Sequence, residues 1–262
     1  MIDCLPGEQM LGNLNQKLRS RWSDGDWLPI CTTVGDQNLI AISFDDGPSP
    51  NTTPAILDSL SQFDATAAFF LCGERAERYP GLVRDIAAQG HAIYSHGYCH
   101  HRMDRLSPDA FLRDLTRTEA VLSRFRPTPS PYLVRLPYGS GHDIARVHAQ
   151  LRAWRDDVQI AHWGHSFEDW TLADDCDTLT ALRTRCDNAV VDALVDRQFG
   201  GSILLLHEDA IGGKAALSGA IAPILLASLL RGIARYGIRT TTIRPRGGHA
   251  ALRRFVRFTA VR

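Results

Sequence analysis

The alternation of short apolar runs with longer amphipathic segments constrains the fold of this chain more than any other feature of its sequence. Runs rich in β-branched, aromatic and small apolar residues predict seven strands. These are Asn38–Phe44, Thr66–Leu71, His91–Ser95, Tyr132–Arg135, Val158–Gly164, Ser202–Leu206 and Ile238–Ile243. Strands that alternate with helices form parallel sheets with right-handed crossovers. We therefore predict an α/β fold, either an open doubly wound sheet or an incomplete (β/α) barrel.

Six helical patterns lie between these strands. One begins at Asn51 or Thr52 and another at Ser107, residue types that cap helices well. The other four are Glu74–Gln89, His142–Arg155, Asp177–Gln198 and Ile221–Tyr236. The uncharged stretch 215–230 is shorter than the roughly 20 apolar residues of a membrane span. We predict no membrane span there, but a loop followed by a buried helix with Pro223 in its first turn.

Charge and cysteine content narrow the possible partners and compartments. Lys+Arg and Asp+Glu both number 29, so the overall charge does not favour a nucleic-acid partner. The six cysteines are irregularly spaced with no C-x-x-C pair, which predicts reduced thiols rather than a disulfide framework. The opening MIDCLPGEQM has no basic region followed by an apolar one, so we expect a cytoplasmic protein without a signal peptide.

Composition divides the chain into three segments. Residues 1–36 form a leader that is expected to pack on the barrel, and residues 37–246 contain all the predicted strands and helices. Residues 247–262 form a basic tail, which we interpret as a solvated terminus. No strand is followed by a G-x-G-x-x-G or P-loop motif, which removes the usual sequence signature of a nucleotide-binding fold.

Side chains capable of acid–base or metal chemistry follow the predicted strands at their carboxyl ends. In chain order they are Asp45 and Asp46, His96 and His100, Arg135, Asp169 with Trp170, and His207. In a parallel barrel this is the edge where side chains from different strands meet to form an active site. The positions therefore predict one catalytic site rather than scattered surface groups.

His96 and His100 are four residues apart in SHGYCHH, a spacing that one helical turn would place on the same side. Together with Asp46 they would form a site of two imidazoles and one carboxylate with an open position, which suits Zn²⁺ or a similar ion. Neighbouring carboxylates raise each other's pKa, but a cation held by Asp46 would let Asp45 stay ionised and accept a proton from water. A helix-capping turn would explain FDDGP alone, but not the two histidines.

Arg135 and His207 complete the set. At a strand end within an acidic cluster, Arg135 is interpreted as a clamp that orients Asp45 and keeps it charged. His207 ends an apolar strand and is either a core histidine or a general acid whose imidazolium is held by a carboxylate. Asp169 is the candidate for that carboxylate, and Glu208 is its rival.

The motifs SFDDGP, HGYCH, RLPYG, EDW and LLLH, in this order over residues 38–245, resemble those of polysaccharide deacetylases of the NodB-homology type, carbohydrate esterase family 4. The resemblance implies a distorted, incomplete (β/α) barrel. It also implies metal-dependent removal of acetyl groups from N-acetylated amino sugars in chitin-like chains, peptidoglycan or related glycans. The implied cofactor is one divalent ion, Zn²⁺ first, with Co²⁺, Ni²⁺ and Mn²⁺ as alternatives.

The resemblance further assigns roles to individual residues. Asp45 matches the catalytic base and Arg135 the arginine that positions it. Asp46, His96 and His100 match the three metal ligands.

The remaining matches concern the substrate. His207 matches the general acid and Asp169 its partner, while the backbone N–H of Tyr138 matches a donor to the oxyanion. Trp170 matches an aromatic wall of the sugar pocket, and Leu206 matches the apolar residue that lines the pocket for the acetyl methyl group.

The sequence also departs from the family pattern and leaves alternatives open. Leu136 replaces the first proline of RPPYG, Ser166 stands where an aspartate is frequent, and His165 and Glu208 are additional ionisable groups. An amidohydrolase acting on a non-sugar amide or a carrier-linked sugar is the first alternative, and a non-catalytic glycan-binding module is the second. The complete metal set and Trp170 favour the deacetylase. The lack of a visible signal peptide favours a soluble chito-oligosaccharide or a glycan precursor as substrate.

Overall fold

The computed structural model describes residues 27–209 and 215–243. Within these residues nine strands form one sheet, and all paired strands are parallel. The strands are β1 (Ile30–Cys31), β2 (Leu39–Asp45), β3 (Ala67–Leu71), β4 (Ala92–Ser95), β5 (Tyr132–Val134), β6 (Val158–Ala161), β7 (His165–Ser166), β8 (Ile203–His207) and β9 (Arg239–Thr240). The six longest strands correspond to predicted ones, which confirms the α/β class.

Helices connect these strands, as the sequence predicts. Those in the described part of the chain are α1 (Thr53–Gln62), α2 (Gly73–Arg78), α3 (Pro80–Ala88), α4 (Pro108–Leu122), α5 (Ala145–Trp154), α6 (Leu179–Val195) and α7 (Ala215–Arg235). The predicted cap of α4 is confirmed, since the Ser107 hydroxyl accepts the Ala110 N–H at 3.4 Å, whereas Thr52 precedes α1 but makes no side-chain capping hydrogen bond.

The order of the strands decides between the two predicted architectures. It runs β1-β6-β5-β4-β3-β2-β8-β7, with β9 also beside β2. Residues 32–34, just after β1, reach the other end of this sheet. There the Ile203 N–H donates to the Thr32 carbonyl at 3.0 Å, and the Val34 N–H donates to the Gly201 carbonyl at 2.7 Å. The sheet therefore curls until its ends approach, and the fold is a distorted, incomplete (β/α) barrel.

The alternation of side chains along β2 separates the inside of this barrel from the layer that faces the helices. Ile42 and Phe44 point towards the helices, in an apolar cluster that includes Leu225 of α7. Ala41 points inwards, and its cluster contains Ala68, Phe70, Tyr94, Leu133, Ala161 and Ile203. Asp45 continues this inward face, so β2 delivers its carboxylate to the mouth of the barrel.

One predicted helix is two helices. The prediction over Glu74–Gln89 is wrong because Tyr79 leaves the helical conformation between α2 and α3, with φ −124° and ψ 58°. Pro80 follows, and the ring of a proline crowds the preceding residue out of the α region.

The predicted loop ahead of Ile221 is also wrong. Helix α7 begins at Ala215, and Pro223 lies inside it. A proline inside a helix removes one backbone hydrogen bond, but the apolar face of α7 is buried on both sides of it, with Ile221 and Leu225 fully covered. The segment Leu217–Arg235 is long and apolar enough to cross a membrane, yet half of its most apolar stretch is buried in the protein.

Two short strands were not predicted, β1 and β7, each of two residues. β1 pairs with β6 and lies within the segment assigned to the leader, so the sheet begins before residue 37. The rest of the leader, residues 1–26, and the basic tail 247–262 lie outside the described residues.

Candidate active site

The carboxyl ends of β2 and β8 place a candidate base beside a candidate acid. Asp45 and His207 are direct register partners in this parallel pair, each as the last residue of its strand. Asp45 is buried and His207 is partly exposed. Two groups that the sequence places about 160 residues apart thus lie side by side at the mouth of the barrel.

Asp45 is held by a buried arginine. Arg135 Nη1 donates to Asp45 Oδ1 at 2.7 Å and to the Ser43 hydroxyl at 2.8 Å. The guanidinium also donates from Nη2 to the His162 carbonyl at 3.2 Å, and it lies 4.0 Å from the centroid of the Phe70 ring. Burial lowers the pKa of Arg135, and the charge of Asp45 opposes that shift. Because arginine remains protonated in proteins, the charged guanidinium fixes the Asp45 side chain in one orientation.

Asp46, His96 and His100 converge on one point. Asp46 Oδ1 lies 3.0 Å from His100 Nε2 and 3.4 Å from His96 Nε2. The three candidate ligand atoms all lie within 4.8 Å of one another. Burial alone would raise the pKa of Asp46, but interaction with the adjacent His100 and His96 rings holds it well below its usual range.

This geometry fits a cation. His96 Nδ1 lies 3.0 Å from the Arg135 carbonyl oxygen, which can only accept, so the ring donates a proton there. In the neutral ring, Nε2 then has a lone pair directed at Asp46. Asp46 Oδ1 is buried and accepts no conventional hydrogen bond from the described residues. A divalent ion would satisfy the imidazole lone pairs and this carboxylate together.

The ligand loop is not the helical turn that the spacing predicts. Residues 96–100 are irregular, with Gly97 at φ +75° and His100 at φ +56°. Asp46 also has a positive φ, +73°. For residues other than glycine such conformations are uncommon and strained, and they persist where the surroundings impose them. The loop conformation, rather than helical periodicity, brings the two imidazoles together and selects His100 over His101.

His207 is paired with Asp169. The Asp169 carboxylate accepts the His207 backbone N–H at 2.7 Å and its Nδ1–H at 2.8 Å. Burial lowers the pKa of His207, but the hydrogen bond and charge of Asp169 outweigh it and raise the pKa to about 9. Glu208, the rival partner, points elsewhere and bonds to Thr53. The imidazolium is therefore the main form of His207 at neutral pH, with Nε2–H left to donate a proton.

Two aromatic side chains border the site. Tyr138 is 60% exposed, has φ +60° and lies with its ring 4.5 Å from the His100 ring. Trp170 meets the His207 ring edge-on at 5.3 Å. Both could contact a substrate at the barrel mouth.

The placement of Leu206 at this site is wrong. Leu206 pairs with Phe44 and packs in the helix-facing cluster. Side chains alternate along a strand, so Leu205 shares the inward face with His207, and Leu205 is buried there. The period of two, counted back from His207, could have identified Leu205 from the sequence.

Ser43 was missed by the sequence analysis. Its hydroxyl accepts from Arg135 and donates to the Leu204 carbonyl, so it ties the guanidinium to the barrel wall. It lies two residues before Asp45 on the same face of β2. Strand periodicity was the only available signal for it.

Comparison with known proteins finds similar deacetylases. The family model for polysaccharide deacetylase matches residues 33–153. A peptidoglycan-N-acetylglucosamine deacetylase from Bacillus cereus is 33% identical over 169 residues, which cover 64% of this chain and 55% of that protein. A chitooligosaccharide deacetylase from Rhizobium leguminosarum bv. trifolii is 29% identical and is covered over 76% of its length.

Solved structures with a similar fold include the same kind of enzyme. A crystal structure of a peptidoglycan N-acetylglucosamine deacetylase superimposes with a TM-score of 0.66 at 28% identity, over 83% of this chain and 91% of that one. In sequence and in fold, the chain is thus similar to the polysaccharide deacetylases. It spans about half the length of the first curated relative.

Proposed function

We propose that this protein is a metal-dependent N-deacetylase that removes acetyl groups from N-acetylglucosamine-containing glycans. One observation carries the proposal: the carboxylate Asp45 and the imidazolium His207 are register partners beside the Asp46, His96 and His100 cluster. Hydrolysis of an amide needs a base for water and an acid for the departing amine. This arrangement supplies both within one small site.

The metal would contribute charge stabilisation. Asp46, His96 and His100 would hold the ion, and a bound divalent ion polarises a carbonyl and lowers the pKa of water. Zn²⁺ suits two imidazoles and one carboxylate, although Co²⁺, Ni²⁺ and Mn²⁺ accept the same donors.

The protein's own side chains would then move the protons. Asp45, oriented by Arg135, takes a proton from the attacking water. The Tyr138 backbone N–H is proposed to donate to the developing oxyanion, and one such donor typically stabilises a transition state by about 3 kcal/mol. His207 gives its Nε2 proton to the departing amine, while Asp169 holds the ring in the required tautomer. Acetate and a free amine are the products.

The relatives support the substrate class. The names of those compared describe deacetylases of peptidoglycan N-acetylglucosamine and of chitooligosaccharides. Trp170 and Tyr138 at the mouth offer aromatic surface, which suits the apolar face of a sugar ring. A carrier-linked sugar or a non-glycan amide remains the alternative outcome of the test below.

Acetate release tests the proposal. Zinc-loaded protein is incubated with N-acetylglucosamine oligomers of increasing length and with peptidoglycan fragments, and free acetate is measured. We expect Asp45→Asn to retain zinc and lose at least about a hundredfold in rate, since general-base catalysis contributes that much or more. His96→Ala should lose both zinc and activity. If zinc-bound wild type releases no acetate from any of these glycans, the proposed substrate class is wrong. Equal rates in Asp45→Asn and wild type would refute the role of Asp45.

A further inference from the structure

A carboxyl group that the proposed mechanism does not use lies directly behind the metal-ligand turn. Glu208 follows His207 and is fully buried. A Cβ added to Gly47 would lie 1.5 Å from Glu208 Oε1, so the carboxyl occupies the space that any larger residue at position 47 would need. Gly47 in turn follows the proposed ligand Asp46. The Glu208 side chain therefore packs against the backbone of the turn that carries this ligand.

The same carboxyl is bonded to the start of α1. The Thr53 hydroxyl donates to Glu208 Oε2, and Thr53 Oγ1 accepts the Ser49 N–H at 2.8 Å. The Glu208 backbone N–H donates to the Asp45 carbonyl at 3.1 Å. Glu208 thus contacts the turn 46–49 through Gly47, through the Thr53–Ser49 link and through the backbone next to Asp46.

Asp209 reinforces the same turn from its outer side. Its carboxylate accepts the Ser49 hydroxyl at 3.0 Å and Arg75 Nη1 at 2.7 Å. The turn is therefore enclosed by the two residues that follow β8 and by residues of α1 and α2. Such enclosure accounts for the positive φ of Asp46, because strained conformations persist where several contacts impose them.

The charge state of Glu208 is compatible with a supporting role. Burial raises the pKa of Glu208 to about 8, although the hydrogen bond from Thr53 lowers it. At neutral pH the group is mostly the neutral acid, so it does not compete with Asp46 for a cation. Glu208 therefore supports the turn through its shape and hydrogen bonds rather than through its charge.

From these contacts we propose that Glu208 is a positioning residue that holds the Asp46–Ser49 turn against the end of β8, so that the metal ligand and His207 keep a fixed separation. The inference rests on the proposed roles of Asp46 and His207. It assigns no contact with substrate to Glu208, and it predicts that losing the side chain weakens zinc binding as well as turnover.

Zinc affinity is the decisive measurement, by calorimetry on the full chain after chelation, alongside acetate release and thermal unfolding. Loss of an outer partner of a metal ligand typically weakens affinity 10- to 100-fold. We expect Glu208→Ala to raise the zinc Kd at least about tenfold, and Glu208→Gln, which has the same shape and an acceptor oxygen, to stay within about threefold of wild type.

A matched control separates positioning from general stability. Glu119 is another carboxylate in a hydrogen-bonded network, with Arg126 and Tyr132, away from the metal cluster. We expect Glu119→Ala to lower the Tm while zinc affinity is unchanged. An equal loss of zinc affinity in Glu119→Ala, or wild-type zinc affinity in Glu208→Ala, would overturn the proposal, as would a Glu208→Gln variant as impaired as Glu208→Ala.

Gly47→Ala alters the contact between Gly47 and Glu208 through the other residue. It tests the proposal if Glu208→Ala does not fold. Its methyl group would overlap the carboxyl, and we expect at least about a tenfold weaker zinc affinity. Where Glu208→Ala folds, combining it with Gly47→Ala should partly restore the zinc affinity, a non-additive effect expected of residues in contact. Unchanged zinc affinity in Gly47→Ala would count against the inference. Because zinc binding is read without substrate, a wrong glycan would leave this test intact.

Discussion

At the scale of single residues, the pair of His207 and Asp169 carries the clearest electrostatic signature of the site. Burial alone would depress the pKa of His207, and the two bonds to Asp169 reverse that effect and raise it to about 9. The folded-state pKa thus lies above the ordinary value near 6.5. This contribution to stability is complete below about pH 6.5 and is lost as the pH rises towards 9.

The corresponding prediction concerns the pH profile of acetate release. The rate should fall on the alkaline side as His207 loses its proton. The charges of Asp45 and Asp46 help to raise the pKa of His207 to about 9, and a bound cation would offset them. The midpoint of the fall should therefore lie below about pH 9 in the zinc-loaded protein. Asp169→Asn should move this alkaline limb down by at least about one pH unit, because burial then dominates the pKa of His207.

Glu168→Gln is the matched control, since Glu168 precedes Asp169 but is exposed. Its alkaline limb should coincide with that of wild type. An Asp169→Asn enzyme with an unshifted limb would show that His207 does not set the alkaline dependence.

At the scale of secondary structure, helix α4 supports the loop between the two histidine ligands. Asp114 of α4 accepts the Tyr98 N–H at 2.8 Å, and a Cβ on Gly97 would lie 3.1 Å from its Oδ1. Burial of Phe111 and Leu115 anchors the helix. The irregular loop is thus held by an element that supplies no ligand itself.

Removing the Asp114 carboxylate should weaken zinc binding. We expect Asp114→Ala to raise the zinc Kd about tenfold, in the range typical for residues that orient metal ligands. Asp114→Asn keeps an acceptor oxygen and should remain close to wild type. Asp109→Ala, on an exposed position of the same helix, is the control and should leave zinc binding unchanged. A zinc Kd that is the same in Asp114→Ala and Asp109→Ala would contradict the role of Asp114.

At the scale of the whole molecule, several histidines are buried without a charged partner. Neither ring nitrogen of His91 has a hydrogen-bond partner in the part of the chain that the structure describes, and its ring lies 5.5 Å from Phe69. Burial lowers the pKa of His91, and it lowers that of His162 to about 4. Burial likewise lowers the pKa of His148 and His165, so at these four histidines the unfolded chain binds more protons than the folded one below about pH 6.5, which outweighs the opposite contribution of Glu208.

The free energy of unfolding of the metal-free protein should consequently decrease as the pH falls from about 6.5 to 4. Chelator is included so that loss of zinc does not contribute. His91→Leu removes one of these groups and should make the dependence shallower, whereas His101→Leu, at an exposed position, should follow wild type. Urea titrations at several pH values measure this. Parallel curves for His91→Leu and wild type would rule His91 out. The cytoplasmic location expected from the sequence stays a prediction.

The sequence by itself determined the class of fold and the edge of the sheet that carries the site. Short apolar runs that alternate with amphipathic helical patterns are compatible with few folds other than a parallel sheet. Residues such as Asp45, Arg135 and His207 at successive strand ends must then meet at one edge, whatever the details of the loops. These patterns are local in the sequence, so they can be recognised without knowing which strands are neighbours.

Only the tertiary structure decided the pairings within that edge. The register that aligns Asp45 with His207, the choice of Asp169 over Glu208, and the irregular loop that brings His100 towards Asp46 all depend on contacts between distant segments. Such contacts override local preference, as Pro223 inside α7 also shows. Packing against the rest of the molecule, rather than spacing along the chain, sets these positions because burial and buried hydrogen bonds outweigh the small energies of local propensity.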